Sequence, residues 1–265
     1  GGTWLNGVLE EGLNLHPLQE QIEQVTKWRQ IGLGLMGIAD MLIQMGITYG
    51  SKESIELSEQ ISFFMMDRAI AASAKLAQQL GAFPMCETEQ IMKSPFFLQN
   101  TTEETRKLVE EFGLRNSQLL TIAPTGTLST MLGISGGIEP IYANYYERTT
   151  QSLHGRDVTY RVYTKIVEEY MKLHNLSEVD ELPDYFVTAM ELDYHSRLKM
   201  QATWQKHIDA SISSTVNVPN EFSVEQVGEL YFEAYELGLK GVTLFRDGCK
   251  RTGILNVKPQ KKAYP

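Results

Sequence analysis

The residues of this chain with the clearest chemical potential are the hydroxyls that crowd around a glycine at positions 123–130, Ala-Pro-Thr-Gly-Thr-Leu-Ser-Thr. Gly126 frees the backbone, and the neighbouring threonines and serine can donate hydrogen bonds. Exposed N–H groups together with hydroxyls make a cradle for an anion, most simply a phosphate. The segment lacks the Gly-Lys-Ser/Thr ending of a P-loop, which excludes that class of site. Taken alone, these residues favour a plainer interpretation, a polar turn that caps the next helix.

A second glycine-rich motif, Gly-Leu-Gly-Leu-Met-Gly at 32–37, has the spacing of a dinucleotide-binding turn. That turn must follow a strand and open a helix. Here a polar helical segment precedes the glycines, so a nucleotide role is disfavoured. We expect closely packed backbone that leads into a helix at 38–44.

The spacing of the Cys and His residues does not indicate a metal site or thiol chemistry. Cys86 and Cys249 are the only cysteines, and they form neither a CxxC pair nor a disulfide framework. His207 stands alone on a predicted helix, with no Cys or His at metal-ligand spacing. The residues therefore assign no metal ligand and no catalytic side chain.

Composition and charge indicate the cell compartment of this chain and disfavour some classes of partner. The 265 residues are 42% hydrophobic and carry a formal net charge of −9, which disfavours nucleic acid as a partner. No apolar run approaches the about 18 residues of a membrane helix. The two cysteines and the lack of a signal-type N-terminus predict a reducing cytoplasm. The opening Gly-Gly without a Met suggests an excised fragment or a processed tag.

The loop at 124–129 must be positioned by strands that alternate with helices, a pattern typical of parallel α/β folds. We predict strands at 118–123, 211–218 and 241–245, with 31–36 as a further candidate. Predicted helices lie at 17–28, 51–80, 102–112, 158–173, 194–209 and 223–237, with a short one from Pro183. Ser51 is the expected N-cap of the helix at 51–80, and Ser223 with Gln226 fits a capping box at the start of the helix at 223–237. Residues 1–16 and 82–100 read as irregular. In the longest helix the predicted apolar face comprises Leu57, Ile61, Phe64, Met65, Ala72, Leu76 and Leu80.

Several motifs, in this order, resemble the large, catalytic subunit of ribonucleotide reductase. They are Arg-Gln-Ile-Gly-Leu-Gly-Leu-Met-Gly-Ile-Ala-Asp at 29–40, Leu-Arg-Asn-Ser at 114–117, Ala-Pro-Thr-Gly-Thr at 123–127, Gly-Ile-Glu-Pro at 137–140 and Gly-Leu-Lys-Gly-Val-Thr-Leu-Phe-Arg-Asp-Gly at 238–248. Their order and rough spacing match the C-terminal half of that subunit over nearly the whole chain.

The resemblance implies a fold, a site and a substrate. The fold class is α/β: a partial, about half, ten-stranded α/β barrel with many flanking helices. Residues 1–257 would be the C-terminal part of that catalytic barrel, whereas the polar composition of residues 258–265 itself predicts a flexible tail. The substrate would be a ribonucleotide, reduced to a 2′-deoxyribonucleotide by thiyl-radical chemistry. Its phosphates would be held by Pro124, Thr125, Gly126, Thr127, Leu128 and Ser129.

The adenosylcobalamin-dependent class fits best, because its members favour Pro-Thr-Gly-Thr in this loop. The class with a separate di-iron subunit passes its radical through adjacent tyrosines on the last strand. This chain carries Leu244 and Phe245 there, and Phe lacks the phenolic O–H. Phe245 also departs from the Tyr that the cobalamin class usually has. No cobalamin ligand is identified in this chain.

The chemistry of the family needs a radical cysteine in an Asn-x-Cys-x-Glu motif, and this sequence has none. Cys86 and Cys249 match no catalytic position. Two hypotheses follow. The chain is part of a reductase and needs the missing N-terminal half, or a partner chain that carries it. Alternatively, it is a stand-alone, non-catalytic nucleotide-binding protein derived from the reductase. Half a barrel should expose apolar surface, so we also expect a homo-oligomer.

Overall fold

A computed structural model describes residues 2–13, 15–150 and 158–248. The helices are α1 (Gly2–Leu13), α2 (Gln19–Trp28), α3 (Ile38–Gln44), α4 (Lys52–Leu80), α5 (Thr88–Lys93), α6 (Pro95–Gln99), α7 (Glu103–Phe112), α8 (Gly126–Leu132), α9 (Lys165–His174), α10 (Tyr194–Gln205) and α11 (Val224–Glu236). A 3-10 turn spans Val179–Glu181. The strands are β1 (Tyr145–Thr150), β2 (Val158–Tyr163), β3 (Thr215–Val218) and β4 (Thr243–Arg246).

Four extended segments run parallel and side by side in chain order. Single bridges join Leu33 to Leu120 and Ile122 to Ile212. β3 then pairs with β4, and Thr215 lies opposite Thr243. Of the predicted strands, β3 lies within 211–218 and β4 overlaps 241–245, whereas 31–36 and 118–123 carry only isolated bridges and form no regular strand. The described residues form an open parallel array and no closed barrel.

The core lies between this array and the long helices. Its largest fully buried side chains include Trp204 of α10, Leu42 of α3 and Leu120 of the second extended segment. A smaller cluster around Val216 and Leu230 joins α11 to β3. Because burial of apolar surface dominates folding free energy, these contacts fix the helices against the strands.

The predicted apolar face of α4 is wrong in part. The helix begins at the expected cap, Ser51, whose side chain accepts a hydrogen bond from the Ser54 N–H. Phe64 and Leu80 are exposed, however, whereas Ser58 and Ser62 are buried. Small side chains let a neighbouring helix approach closely, and Ser62 satisfies its hydroxyl by donating to the Ser58 carbonyl at 2.7 Å. A hydrophobicity pattern does not detect a buried stripe of serines.

Several other segments differ from their predictions. β2 occupies the start of the predicted helix at 158–173 and pairs antiparallel with β1, and helix begins only at Lys165. The alternation of β-branched and aromatic residues in Val-Thr-Tyr-Arg-Val-Tyr favours strand over helix. Segment 1–16 contains α1, and 82–100 contains α5 and α6. Pro183 opens a turn and no helix, and α10 ends at Gln205, before 209.

Two further predictions concern membrane-spanning helices and the flexible tail at 258–265. None of the helices in the described ranges is both long and apolar enough to span a bilayer. The predicted flexible tail at 258–265 lies outside the described residues.

Candidate functional site

The loop predicted to bind phosphate lies at the carboxyl end of the second parallel segment. The Ile122 N–H donates to the Ser211 carbonyl at 3.2 Å, and the Ser213 N–H donates back to the Ile122 carbonyl at 2.8 Å. Pro124 then ends the pairing because it has no N–H to donate. In parallel α/β sheets, ligands bind in the crevice outside the carboxyl ends of the strands. The loop therefore occupies the position at which such folds place a ligand.

Thr125 sets the direction of the loop. It has a φ of 50° and a ψ of 24°, the left-handed region that branched residues rarely adopt. Two hydrogen bonds hold it there. Its carbonyl accepts from the Ser129 N–H at 2.8 Å, and its Oγ1 accepts from the Gly137 N–H at 3.2 Å. The residue thus joins the start of α8 to the Gly-Gly-Ile-Glu-Pro segment.

Gly136 and Gly137 form the floor against which the loop packs. A Cβ on Gly136 would lie 2.9 Å from the Pro124 carbonyl oxygen and 3.4 Å from Ser129 Oγ. Gly137 has a φ of 49°, and a Cβ there would lie 3.1 Å from Ile122 Cγ2. No larger residue fits between this segment and the loop without moving backbone.

The Gly-Leu-Gly-Leu-Met-Gly segment supports the loop from the other side. A Cβ on Gly34 would lie only 2.3 Å from the Thr121 carbonyl oxygen, so the two chains touch backbone to backbone. The Gly37 N–H donates to the Ser135 carbonyl at 2.9 Å, and the Ser135 N–H donates to the Asp40 carboxylate at 2.7 Å. The expectation of closely packed backbone is confirmed.

The hydroxyls of the loop differ in their accessibility. Thr127 is exposed, whereas Ser129 is buried and donates its hydroxyl to the Gly126 carbonyl at 3.1 Å. The first N–H groups of a helix lack intrahelical acceptors. An anion at this end of α8 would therefore meet the amides of Gly126, Thr127 and Leu128, with the Thr127 hydroxyl beside them. Pro124 and Leu128 are exposed and can contribute only backbone and apolar contacts.

Glu139 is a structural anchor whose role the sequence did not reveal. Its Oε1 accepts from the Thr215 N–H at 2.7 Å, which ties the Gly-Ile-Glu-Pro segment to the start of β3. The neighbouring Ile138 carbonyl accepts from the buried Tyr49 hydroxyl. The position of Glu139 inside a motif was the only available signal, and the distant partner at 215 could not be read from it.

A tyrosine and an aspartate, Tyr142 and Asp247, interact near the carboxyl end of β4. Burial raises the pKa of Tyr142, and the negative charge of Asp247 raises it further. Asp247 follows β4, and its N–H donates to the Val218 carbonyl at 2.9 Å. The carboxyl ends of β3 and β4 thus lie on the side of the sheet that holds Tyr142.

Neither Cys86 nor His207 belongs to this site. Cys86 lies between α4 and α7, where its Sγ accepts from the Leu114 N–H at 3.5 Å. His207 is buried, with Nδ1 2.5 Å from Asn100 Oδ1 and Nε2 3.1 Å from Glu59 Oε1. The described residues contain no group of three or more His, Cys, Asp or Glu able to hold a metal ion. Cys249 lies outside them.

Comparison with protein families identifies one match. The family model described as "Ribonucleotide reductase, barrel domain" matches residues 3–245. The match includes the loop at 124–129 and every described strand except the last residue of β4.

Curated relatives and solved structures agree with this match. A vitamin B12-dependent ribonucleoside-diphosphate reductase of Thermoplasma acidophilum is 34% identical over 92% of this chain and 32% of its own length. One of Mycobacterium tuberculosis is 30% identical over 93% of this chain and 34% of its own length. The class Id ribonucleotide reductase alpha subunit of Actinobacillus ureae superposes with a TM-score of 0.71. It is 21% identical and covers 93% of this chain and 45% of that one. The chain spans about a third of the length of the curated relatives.

Proposed function

This chain belongs to the ribonucleotide reductase barrel-domain family, and from that membership we propose that it is part of an enzyme that converts ribonucleoside diphosphates to 2′-deoxyribonucleoside diphosphates. The diphosphate follows from the names of the relatives in Thermoplasma acidophilum and Mycobacterium tuberculosis. In the whole enzyme this chain supplies the C-terminal part of the catalytic barrel, with residues 1–257 in that domain.

We propose that Pro124, Thr125, Gly126, Thr127, Leu128 and Ser129 bind the substrate phosphates. The observation that carries this assignment is the left-handed Thr125 at the carboxyl end of a parallel strand, directly before α8. Backbone N–H groups at such a position favour anions. Thr127 adds an exposed hydroxyl, while the buried Ser129 holds the loop through its bond to the Gly126 carbonyl.

We propose adenosylcobalamin as the radical source of the whole enzyme. Its support is the identity to vitamin B12-dependent relatives, together with Leu244 and Phe245 where a tyrosine relay would need phenols. No ligand of this cofactor is identified among the described residues, and the buried His207 is not available as one. Both ring nitrogens of the buried His207 are engaged by Asn100 and Glu59. We therefore assign no step of the cofactor to this chain.

The radical cysteine must come from elsewhere in the enzyme. The described chain places its one cysteine, Cys86, away from the phosphate loop, and the sequence has no Asn-x-Cys-x-Glu motif. We propose that the N-terminal half of the large subunit, or a partner chain that carries it, supplies the Cys, Asn and Glu. We also propose a homo-oligomer and a cytoplasmic location, in keeping with the small number of cysteines.

The alternative, a stand-alone nucleotide-binding protein, is not favoured. The relatives that match this chain over more than nine-tenths of its length carry the names of reductases. The features that would serve binding alone, the loop and its glycine floor, are equally required by a reductase.

Titration of cytidine diphosphate into the enzyme that contains this chain tests the phosphate assignment. Replacing Thr125 and Thr127 together with Val removes two hydroxyls and keeps the side-chain volumes. Because a hydrogen bond to a charged group contributes about 1.5–3 kcal/mol, the dissociation constant should rise by about tenfold or more. The control, Thr26→Val on α2, removes an exposed hydroxyl that donates to the Ile22 carbonyl and should change binding little. Equal affinity of the double variant and the wild type would overturn the assignment.

A further inference from the structure

Both backbone groups of Thr215 are bonded by charged side chains from distant parts of the chain. The Thr215 N–H donates to Glu139 Oε1 at 2.7 Å, and the Thr215 carbonyl accepts from Nη2 of Arg197 on α10. Thr215 is the first residue of β3 and lies opposite Thr243 of β4. An anion and a cation therefore hold the same residue at the start of this strand. We call Glu139, Arg197 and Thr215 the Thr215 clamp.

Arg197 carries a charge in the interior of the protein. The residue is only 3% exposed, and its Nη1 has no hydrogen-bond partner among the described residues. Burial lowers the pKa of Arg197, whereas the nearby Tyr49 and Glu139 raise it. A guanidinium nevertheless stays protonated in proteins, so a counter-charge is needed, and Glu139 supplies it. Because a buried charge that loses its partner is strongly destabilised, the two residues depend on each other.

The loop at 124–129 is joined on one side to the strand that the Thr215 clamp holds. The Ser213 N–H donates to the Ile122 carbonyl at 2.8 Å, just before the loop begins. Ser213 lies two residues before Thr215 in the same extended segment. A displacement of Thr215 would therefore also move the start of the loop.

The loop is joined on its other side to the segment that carries Glu139. The Gly137 N–H donates to Thr125 Oγ1 at 3.2 Å, and the Glu139 N–H donates to the Gly136 carbonyl at 2.9 Å. The bond from Thr215 to Glu139 connects this segment to β3. The hydrogen bonds thus form a closed ring around the loop, and the Thr215 clamp is its charged link.

We propose that Glu139 and Arg197 act together, through Thr215, as positioning residues for the substrate phosphates. This inference rests on the proposed binding of phosphate by residues 124–129. The clamp fixes the floor of the loop relative to β3, so the first amides of α8 are in place before the substrate arrives. Binding then does not have to order them, which favours affinity. Neither charged side chain lies in the loop, and both act through the backbone of Thr215.

Titrations of cytidine diphosphate and of cytidine into the enzyme that contains this chain test the proposal. The ratio of the cytidine to the cytidine diphosphate dissociation constant measures what the phosphates contribute to binding. Glu139→Gln keeps an acceptor for the Thr215 N–H and removes the charge. Arg197→Met removes the cation and keeps a chain of similar width. The double variant Glu139→Gln/Arg197→Met leaves neither charge without its partner.

The matched control is Glu10→Gln, which alters another carboxylate that pairs with a buried arginine. Glu10 Oε1 lies 2.6 Å from Nη2 of Arg29, which is 4% exposed. Arg29 precedes the first extended segment and so lies at the end of the parallel array opposite to the loop at 124–129. Glu10→Gln should lower the urea midpoint of unfolding and leave the ratio of dissociation constants unchanged.

Glu139→Gln and Arg197→Met should each lower this ratio about tenfold or more. The double variant should lose less than the two single losses combined, because it leaves no unpaired buried charge. Arg197→Lys keeps a cation and a donor for the Thr215 carbonyl and should recover part of the loss. Circular dichroism confirms the fold of each variant, and Glu139→Gln with Arg197→Lys decides the outcome if Arg197→Met does not fold.

The Thr125→Val/Thr127→Val variant separates this inference from the function on which it rests. If that variant lowers the ratio and the Glu139 and Arg197 variants do not, the clamp is overturned and the phosphate assignment stands. If the threonine variant leaves the ratio unchanged, the phosphate assignment fails and this inference fails with it. Strictly additive losses, or an equal loss in Glu10→Gln, would also overturn the joint positioning role.

Discussion

Thr125 contributes both a hydrogen-bonding hydroxyl and a strained backbone conformation to the loop. A branched residue at a φ of 50° carries a cost of about 1–3 kcal/mol that glycine would avoid. The residue is nevertheless held there by the Gly137 N–H on its hydroxyl and the Ser129 N–H on its carbonyl. Because its hydroxyl also joins two segments of the site, a glycine at this position would lose the connection that keeps the amides of α8 in place.

At Gly136 we predict that Ala weakens diphosphate binding by about tenfold or more, equivalent to about 1.4 kcal/mol. The added Cβ would lie 2.9 Å from the Pro124 carbonyl oxygen, and backbone cannot yield as a flexible side chain can. Calorimetric titration of cytidine diphosphate measures the effect. Gly7→Ala in α1 is the control, since a Cβ there meets nothing within 4 Å. Unchanged affinity of the Gly136 variant would show that the floor does not position the loop.

At the level of elements, one buried carboxylate joins the two helices α4 and α7. Asp67 of α4 accepts from the Thr102 N–H at 2.7 Å and from the Thr102 hydroxyl at 3.0 Å. Thr102 is the N-cap of α7, so the carboxylate lies at the positive end of that helix. Burial alone would raise the pKa of Asp67, but hydrogen bonds from Thr102 and Arg68 outweigh it, and the pKa is lowered.

Asp67→Asn should destabilise the fold by about 1–3 kcal/mol at pH 7, because an amide nitrogen cannot accept from Arg68 as Oδ2 does and the negative charge at the N-terminus of α7 is lost. The pKa of Asp67 is lower in the folded than in the unfolded state. Its contribution is therefore present above the unfolded value of about 3.9 and is lost as the pH falls below it. Denaturant unfolding from pH 3 to 7 should show the two proteins converging at the acidic end. The exposed Glu111→Gln is the control, and a constant difference at all pH values would contradict the role of charge.

The close packing of α4 gives a second prediction at this level. Ser62→Leu should cost about 1–3 kcal/mol, because Ser62 is fully buried and extra methyl groups overpack the core. Phe64→Ser should change stability by no more than about 0.5 kcal/mol, since that ring is 64% exposed. Urea unfolding of both variants measures this. A larger loss of stability for Phe64→Ser than for Ser62→Leu would contradict this and support the apolar face that the hydrophobicity pattern predicts.

The sequence predicted the elements with strong local signals and missed those that depend on distant partners. The cap at Ser51 and the capping box of Ser223 with Gln226 were predicted correctly, because each depends on residues that lie close together in the sequence. The phosphate-binding role of the loop at 124–129 was inferred from its glycine and hydroxyls and stays a prediction. The hairpin of β1 with β2, the serine stripe of α4 and the bond from Thr215 to Glu139 were not predicted, because pairing across the chain determines them.

At the scale of the whole molecule, the described chain is an open array with apolar side chains left uncovered. Leu128, Met131 and Leu132 of α8 are exposed, and so are Trp4 and Leu18 near the N-terminus. Isolated exposed apolar residues are ordinary, but groups of them mark contact surfaces. The chain spans about a third of the length of its curated relatives.

We predict that the chain expressed alone self-associates. Its uncovered apolar side chains and unpaired strand edges would find a second copy in place of the rest of the subunit. Light scattering over a range of concentrations should show a mass above 30.0 kDa. Replacing Leu128, Met131 and Leu132 with Ser should lower that mass. A monodisperse monomer at all concentrations would contradict the prediction.

The most direct test of the whole account is to isolate this chain from source cells with an antibody and assay the captured protein. The account predicts that the chain is captured either within a polypeptide much larger than 30.0 kDa or together with a partner. The captured assembly should contain an Asn-x-Cys-x-Glu sequence. It should reduce cytidine diphosphate when adenosylcobalamin is supplied. A chain of 30.0 kDa that arrives alone and binds the nucleotide without reducing it would contradict the account and establish the stand-alone binding protein instead.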